Sequence, residues 1–315
     1  ILVTGGAGFI GSHTSVLLLE AGYEVVIADN LANSDEAVIK RVEEITCKKV
    51  IFEKIDVTDE QAVEKLFKKY RFDGVIHFAG YKSVNESVEK PLEYYYNNLV
   101  STMRLARACE THGVEKFVFS SSATVYGENE VPFVENMPLK PTINPYGETK
   151  AMSERILSDF ATISDGKFRV ALLRYFNPVG AHESGLIGEA PRGIPNNLMP
   201  YITGVAAGRL KKLRVFGSDY PTVDGTGVRD FIHVMDLAAG HLSALTYLTR
   251  HGDGSLDALP RDSSYQNTTE KARQENRPHD AAENVYIFNL GTGRGTSVLE
   301  LINTFAEVNG VEVPY

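Results

Sequence analysis

The sequence predicts an α/β fold, a doubly wound parallel sheet with a smaller C-terminal lobe. Two observations support this prediction. Short β-branched runs alternate with amphipathic helical patterns through the first half of the chain, and a glycine-rich loop directly follows the first strand-like run. Alternating β and α elements imply right-handed crossovers and a parallel sheet covered by helices on both faces.

Each element is read in chain order from its hydrophobic pattern. The strand-like runs are ILVT, YEVVIADN, KVIFEKID, GVIHFAG, KFVFSSS, RVALLRYFN and VYIFNLG. The helical patterns between them are SHTSVLLLEAG, DEAVIKRVEEI, DEQAVEKLFKKY, TMRLARACETHG, AMSERILSDFA and GHLSALTYL.

These patterns divide the chain into two parts. We expect residues 1–176 to form the first domain and residues 177–315 to form a smaller lobe interleaved with it. The polar stretch 251–284 lacks periodicity, and we interpret it as an insertion away from the chemistry. The sequence begins at Ile1 inside a strand-like run, so we expect a fragment of a longer polypeptide.

Composition limits the classes of function. Of 315 residues, 43% are hydrophobic and 23% are charged, which suits a globular protein large enough for two closely packed domains. The net charge of −9 disfavours nucleic acid and acidic membranes as partners. Cys47 and Cys109 lack metal-ligand spacing, so we expect a reducing, cytoplasmic location and no metal site. We also find no apolar run long enough to span a bilayer.

The loop VTGGAGFIGS predicts dinucleotide binding. Gly5, Gly8 and Gly11 permit a tight turn, a close approach of the backbone to a pyrophosphate, and packing of the following helix on the strand. A bare strand-to-helix turn is the alternative. Here an acid, Asp29, also ends the second strand, as the Rossmann-type motif requires. Because Asp29 accepts hydrogen bonds from a ribose and repels a 2′-phosphate, NAD is favoured over NADP.

The heptapeptide NPYGETK places a phenol and an ammonium four residues apart. If Pro145 begins a helix, Tyr146 and Lys150 share one face and project into one pocket. The alternative is a solvated first helical turn. The pair alone does not decide between them, because short motifs need their structural context.

Several longer motifs carry a family resemblance. They are SSSATVYG, NPYGETK, HFAGYKSV, KPLEYYYNN, LLRYFNPVGAH, GIPNNLMPYI and GTGVRDFIHVMDLA. They resemble the extended short-chain dehydrogenase/reductase family and, within it, the nucleotide-sugar 4-epimerases acting on UDP-glucose and UDP-galactose. The likeness runs from Ile1 to Tyr315, interrupted mainly by the polar insertion. Because the family continues beyond VNGVEVPY, the resemblance implies that the C-terminal part of the lobe is missing from this sequence.

The resemblance implies a role for each of three sets of residues. The catalytic set is Ser122, Tyr146 and Lys150. The NAD-binding set comprises Gly5, Gly8, Phe9, Ile10, Gly11, Asp29, Asn30, Asp56, Val57, Phe78, Ala79, Gly80, Lys82, Asn97, Ser122, Tyr146, Lys150 and Phe176. The UDP-sugar set comprises Ser122, Tyr146, Asn177, Asn197, Leu198, Phe216 and Arg229. The alternatives are that Phe78 and Phe216 are core side chains, that Asn97 and Asn177 are capping or turn residues, and that Arg229 belongs to an exposed ion pair.

The implied reaction is oxidation of the sugar at C4, followed by return of the hydride to the opposite face. NAD is then a tightly bound cofactor that is regenerated in each turnover. Tyr146 is the expected base, Lys150 the cation that makes it acidic, and Ser122 the group that positions the reacting oxygen. Family members are often homodimers, so we also expect a homodimer.

Two alternatives stay open. A nucleotide-sugar 4,6-dehydratase begins with the same oxidation but needs an Asp-Glu pair where this chain has Ala123 and Thr124. A non-catalytic NAD-binding regulator would keep the fold and lose the chemistry, which fold alone does not exclude. The intact set of Ser122, Tyr146 and Lys150 argues against the regulator.

Overall fold

The structure is a computed structural model that describes residues 1–191, 193, 195–250 and 284–315. The predicted insertion at 251–284 therefore lies, apart from Asn284, outside the described residues. Within the described ranges, no helix combines the length and apolar character needed to cross a membrane.

Within the described residues, seven strands form the main sheet, in the order β3-β2-β1-β4-β5-β6-β9. The strands are β1 (Leu2–Thr4), β2 (Val26–Asp29), β3 (Ile51–Lys54), β4 (Val75–His77), β5 (Lys116–Ser122), β6 (Arg169–Tyr175) and β9 (Val285–Leu290). The pairs β1–β4, β2–β3 and β4–β5 are parallel, with Leu2 opposite Val75 and Val75 opposite Phe117. The order reverses between β1 and β4, as in a Rossmann-type sheet.

Helices separate these strands along the chain. They are α1 (Phe9–Glu20), α2 (Ala37–Thr46), α3 (Glu60–Lys69), α4 (Val84–Glu89), α5 (Pro91–His112), α6 (Pro145–Ile163), α7 (Leu198–Ala206), α8 (Val234–Arg250) and α9 (Val298–Asn309). A 3₁₀ turn, η1 (Ala123–Tyr126), directly follows β5. The predicted fold class, a doubly wound α/β protein, is confirmed.

A three-stranded sheet was not predicted. It has the order β10-β8-β7 and consists of β7 (Asn177–Val179), β8 (Val228–His233) and β10 (Gly295–Ser297). The pair β7–β8 is parallel and the pair β8–β10 is antiparallel. Two of these strands have only three residues, too few for period-2 alternation to be recognised in the sequence.

The described chain forms two compact units. The first unit contains Ile1–Thr4, Ile55–Arg174 and His241–Asn289, and the second contains Gly5–Lys54, Tyr175–Gly240 and Leu290–Tyr315. In the first unit β1, β4, β5 and β6 are buried along almost their whole length, which explains their apolar composition. In the second unit α7 and α9 contribute to one apolar cluster built around Ile202 and Ile302. The predicted division at residue 176 stays a prediction.

Candidate active site

The glycine loop folds as the motif requires. Gly5 has φ +68°, and its N–H donates to the carbonyl of Ala28 at 2.8 Å. A Cβ on Gly11 would lie 2.4 Å from the Gly5 carbonyl oxygen and 2.7 Å from the Gly6 Cα, so only glycine allows α1 to begin this close to the loop. Gly8 is the N-cap of α1 and offers no side chain to cap its first N–H groups. The exposed peptide dipoles of this helix end suit a pyrophosphate.

Asp29 ends β2 and is buried in the same unit as the loop. Its Oδ2 accepts a hydrogen bond from the Ala7 N–H at 3.1 Å, which ties the carboxylate to the glycine loop. Its Oδ1 accepts from the Leu31 N–H at 2.8 Å and from the Ser34 hydroxyl at 2.9 Å. Since each carboxylate oxygen has two lone pairs, Oδ2 retains capacity to accept from a ribose hydroxyl.

The predicted adenine and nicotinamide residues of the first unit occupy the chain segments after β3 and β4. Asp56 caps the turn before α3 by accepting from the Thr58 N–H at 2.8 Å, and Val57 is buried. After β4, Phe78 is partly buried with its ring 4.7 Å from the His241 ring, so the alternative of a fully buried core side chain is not met. Ala79 and Gly80 continue this segment into the exposed Lys82.

Asn97 lies on α5 beside a residue that sequence reasoning missed, Asn98. Asn98 Oδ1 accepts from the Tyr81 N–H at 2.8 Å and from Asn97 Nδ2 at 3.0 Å. Its Nδ2 donates to the Tyr81 carbonyl and to Thr149 Oγ1, both at 3.0 Å. All four hydrogen bonds of the amide are therefore made, and they join the segment after β4 to α6. The signal available in the sequence was an asparagine at a core-facing position of a helix.

The heptapeptide NPYGETK does begin a helix, so the prediction for Pro145 is confirmed. Pro145 occupies the first position of α6, where its missing N–H has no consequence. Asn144 is the N-cap and accepts from the Gly147 N–H at 2.8 Å. Tyr146 and Lys150 consequently lie one turn apart on the same helix, and Lys150 Nζ lies 6.0 Å from the centroid of the Tyr146 ring.

Ser122 ends β5 and faces this pair. Its Oγ accepts from the Thr124 N–H at 3.2 Å and from Thr124 Oγ1 at 3.0 Å. Since the two acceptor positions of the hydroxyl are used, its own proton is available for the phenol of Tyr146. This hydrogen bond lowers the pKa of Tyr146, but the larger effect of burial raises the pKa above its ordinary value. The three predicted catalytic residues are thus brought together within the first unit.

Lys150 is buried and its charge is not fully compensated. Its Nζ donates to the Ser120 carbonyl at 2.6 Å and lies 4.9 Å from the centroid of the Phe119 ring. Burial lowers the pKa of Lys150 to about 8, and the carboxylate of Glu154 opposes this lowering. The side chain therefore stays mainly protonated at neutral pH while remaining close to its titration range.

The predicted UDP-sugar residues lie in the second unit. Asn177 begins β7 opposite Phe231 of β8, so the alternative of a turn residue is not met. Arg229, also on β8, is exposed and donates to the Val228 carbonyl at 2.7 Å. Phe176 precedes this sheet, and its N–H donates to the Leu290 carbonyl at 3.3 Å.

Three more residues of this set lie at the start of α7 or follow it in the chain. Asn197 is its N-cap residue and donates from Nδ2 to Glu189 Oε1 at 2.6 Å. Leu198 packs against the apolar cluster of this unit, as does Val215, the residue before Phe216. Phe216 is 80% exposed, which excludes the alternative that it is a core side chain. Within the described residues, no group of His, Cys, Asp and Glu side chains is arranged to hold a metal ion.

Comparisons with known proteins agree with this geometry. A family model described as "NAD dependent epimerase/dehydratase family" matches residues 1–255. A Bacillus subtilis (strain 168) protein named UDP-glucose 4-epimerase is 52% identical over 316 residues, covering 100% of this chain and 84% of the relative.

Two solved structures are similar throughout. The UDP-glucose 4-epimerase of Bifidobacterium longum, solved in complex with NAD⁺ and UDP, is 47% identical with a TM-score of 0.85, covering 100% of this chain and 84% of that one. The Stenotrophomonas maltophila enzyme, solved with NAD and formylated UDP-arabinopyranose, is 44% identical with a TM-score of 0.86, covering 99% and 84%. The chain belongs to the NAD dependent epimerase/dehydratase family.

Proposed function

We propose that this chain interconverts UDP-galactose and UDP-glucose with a bound NAD cofactor, as a UDP-glucose 4-epimerase in galactose metabolism. The observation that carries the proposal is the hydrogen-bonded pair of Ser122 and Tyr146 beside the buried ammonium of Lys150. The names of relatives about half identical over the whole chain support the same substrate.

In this mechanism Tyr146 takes the proton of the sugar 4-hydroxyl. Ser122 turns its hydroxyl proton from the Tyr146 phenol to the reacting oxygen when substrate binds, and this hydrogen bond positions that oxygen. When bound, NAD⁺ supplies the acceptor of the C4 hydride, its later donor, and a second positive charge. Tyr146 would return the proton to the 4-oxygen once the sugar has presented its other face, so the reaction would have no net redox change.

The Tyr146 phenol acts as a base near neutral pH only if its pKa is lowered. An unperturbed tyrosine has a pKa of about 10, and work near neutrality requires a fall of about 3 units, or about 4 kcal/mol. Burial moves the pKa of Tyr146 in the opposite direction. One cation at ~5 Å and an effective dielectric constant of ~20 stabilises the phenolate by about 3 kcal/mol. The ammonium of Lys150 is therefore necessary to lower the pKa of Tyr146 to near neutrality. It does not suffice alone, so the positive charge of bound NAD⁺ is also needed.

The residues present fit NAD. The glycine loop gives a helix N-terminus without a capping side chain, including the N–H groups of Phe9 and Ile10, and Asp29 gives a carboxylate oxygen with spare acceptor capacity. We assign the adenosine end to Asp29 with its neighbour Asn30. The remaining NAD-binding assignments rest on the family resemblance and are Asp56, Val57, Phe78, Ala79, Gly80, Lys82, Asn97 and Phe176.

For the UDP-sugar, exposure and charge support two assignments. Phe216 presents an exposed ring suited to stacking on a uracil, and Arg229 presents an exposed guanidinium suited to a phosphate. Asn177, Asn197 and Leu198 complete the proposed set.

The dehydratase alternative is not favoured. Elimination of water needs a group that can donate a proton at neutral pH. Ala123 has none, and the Thr124 hydroxyl donates instead to Ser122 at 3.0 Å.

The helix α5 supports a homodimer. Leu92, Tyr96, Leu99 and Met103 follow one another at spacings of four, three and four residues, and Leu92 and Tyr96 are 78% and 63% exposed. We name these four residues the α5 stripe. This spacing forms one apolar seam along a helix, which a second copy of the same chain would cover. We also propose a cytoplasmic location, since Cys47 and Cys109 are both free thiols.

The test is conversion of UDP-galactose to UDP-glucose by purified protein without added NAD. Tyr146→Phe should reduce the rate of conversion at least about 100-fold while leaving the far-ultraviolet circular dichroism unchanged. Tyr70→Phe, at the end of α3, is the matched control and should keep full activity. Conversion that depends on continuous consumption of added NAD, or that survives in Tyr146→Phe, would contradict the proposal.

A further inference from the structure

A buried ion pair lies one turn beyond the catalytic lysine. Glu154 on α6 and Arg174 on β6 have side chains that are each 4% exposed. Arg174 Nη2 donates to Glu154 Oε2 at 2.6 Å, and Arg174 Nε donates to Glu154 Oε1 at 2.9 Å. Two parallel bonds to both carboxylate oxygens fix the orientation of both side chains.

The same carboxylate binds the strand that delivers the catalytic serine. Ser121 Oγ donates to Glu154 Oε1 at 2.5 Å, and the preceding carbonyl, that of Ser120, accepts from Lys150 Nζ at 2.6 Å. Two consecutive residues of β5 are therefore attached to α6 immediately before Ser122. Because Lys150 and Glu154 are one turn apart on α6, these attachments fix the position of the strand along the helix.

Arg174 reaches the segment on the other side of Ser122. Its guanidinium carbon lies 4.8 Å from the centroid of the Tyr126 ring, at the end of η1. The Tyr126 hydroxyl donates in turn to Asn289 Oδ1 at 2.7 Å. Burial alone would lower the pKa of Arg174, but its hydrogen bonds to Glu154 raise it, so the guanidinium stays charged.

The charge of Glu154 also faces Lys150. Among the described residues, the titratable and charged groups around this ammonium are Tyr146 and Glu154 on α6, His77 on β4, and Arg174 through its pairing on β6. Burial lowers the pKa of His77 to about 3, with a smaller contribution from Lys150, so His77 is neutral at working pH. Glu154 is thus the negative charge that offsets the burial of Lys150.

We infer that Glu154 is a positioning residue for the proposed epimerase reaction. Its carboxylate, held by Arg174, keeps the strand that ends at Ser122 fixed against the helix that carries Tyr146 and Lys150, and keeps Lys150 charged. This inference rests on the proposed function for its catalytic consequence. A buried ion pair is in itself weak evidence for stability, since apolar residues of similar volume often stabilise a protein as well or better.

The experiment measures Lys150 directly and then its effect on turnover. In protein labelled with ¹³C at the lysine ε-carbon, the Lys150 signal is identified by its absence in Lys150→Met, and its titration midpoint is recorded. Glu154→Gln should lower this midpoint by about 1 pH unit. It should move the alkaline fall of kcat down by the same amount and lower kcat at neutral pH about tenfold. Glu154→Asp, which keeps the negative charge, should have a Lys150 midpoint close to that of the wild type.

Glu115→Gln is the matched control. Glu115 directly precedes β5 and accepts from Arg169 Nη2, at the start of β6, at 2.7 Å. This variant therefore removes a carboxylate from another Arg–Glu pair, which lies at the ends of the two strands away from Ser122 and Arg174. It should leave the Lys150 midpoint and kcat unchanged. If Glu154→Gln does not fold, Glu154→Gln/Arg174→Met replaces it, because removing both charges leaves no buried guanidinium without its carboxylate.

A Lys150 midpoint in Glu154→Gln within about 0.3 pH unit of the wild-type midpoint would overturn the inference, whatever the loss of activity. A second outcome is possible: the wild type does not interconvert UDP-sugars, while Glu154→Gln still shifts the Lys150 midpoint. That outcome would reject the proposed function and retain the electrostatic role of Glu154. The two failures are therefore distinguishable.

Discussion

Lys150 Nζ lies 6.0 Å from the centroid of the Tyr146 ring while it donates a hydrogen bond to the Ser120 carbonyl at 2.6 Å. The lysine therefore acts on the phenol through its charge, and this action ends when the ammonium loses its proton. Burial lowers the pKa of Lys150 to about 8, so its charged fraction falls from about nine tenths at pH 7 to about one tenth at pH 9. We predict that kcat for UDP-galactose falls with a midpoint near pH 8.

The measurement is kcat at saturating substrate between pH 6 and pH 10, with circular dichroism at each pH to exclude unfolding. Lys150→Arg supplies the control, because a guanidinium does not titrate in this range. Its kcat should be lower, since the geometry differs, and should not fall around pH 8. A wild-type kcat that stays constant up to pH 10 would contradict the role assigned to Lys150.

Much of this arrangement was predictable from the sequence because it depends on local pattern. The start of α6 follows from Asn144 and Pro145, and the pairing of Tyr146 with Lys150 follows from the helical period. The glycine loop and Asp29 follow from the order of strand, turn and helix. The apolar runs of the main sheet were likewise sufficient to predict all seven of its strands among the described residues.

What the sequence did not predict depends on tertiary contact. Glu154 and Arg174 are twenty residues apart, on a helix and a strand, and neither residue type predicts a buried pair. Asn98 resembles any polar helix residue until its four hydrogen bonds are seen. The sequence also predicts an acidic Tyr146 from its neighbour Lys150, whereas burial of the phenol, which raises its pKa, depends on packing.

Substitutions of two glycines in the loop should affect different properties, Gly11→Ala the stability of the fold and Gly8→Ala the binding of NAD. A Cβ on Gly11 would meet backbone atoms at 2.4 and 2.7 Å, and the backbone cannot move as a side-chain end can. Gly11→Ala should therefore destabilise the protein by about 1–3 kcal/mol. A Cβ on Gly8 would lie 3.2 Å from the Gly5 carbonyl oxygen, which requires a shift of only a few tenths of an ångström. Gly8→Ala should fold with nearly wild-type stability and yet lose at least about 90% of its bound NAD, because the central glycine of such a motif lets the backbone approach a pyrophosphate.

Bound NAD is measured after release from acid-precipitated protein, and stability by denaturant unfolding of the cofactor-free protein. Gly166→Ala is the control, since Gly166 has φ +82° in an open turn, so an added Cβ strains the backbone without touching the loop. Full NAD content in Gly8→Ala would mean that the loop is only a strand-to-helix turn.

Asp29 should determine the choice between NAD and NADP. Asp29→Asn removes the negative charge and replaces one acceptor oxygen by a donor, so the side chain can no longer accept from both the Ala7 N–H and the Leu31 N–H. We expect NAD affinity to fall at least about tenfold and the preference for NAD over NADP to shrink by a similar factor, since repulsion of a 2′-phosphate is removed. Both affinities are measured by titration calorimetry on cofactor-free protein. Asp35→Asn is the matched control, because Asp35 also accepts a backbone hydrogen bond, from the Ala37 N–H at 2.8 Å, and should change neither affinity.

The α5 stripe should determine the oligomeric state. Leu92 and Tyr96 are mostly exposed, so Leu92→Glu/Tyr96→Glu removes apolar contact area without creating a buried charge within one copy. We expect the wild type to be a dimer at micromolar concentration and the double variant to be a monomer with unchanged circular dichroism, as measured by light scattering after size exclusion. Val308→Glu is the control, because Val308 is equally exposed on another helix, α9, and should leave the dimer intact. If the double variant stays dimeric, the copies associate through a different surface, and the exposed stripe requires another partner to cover it.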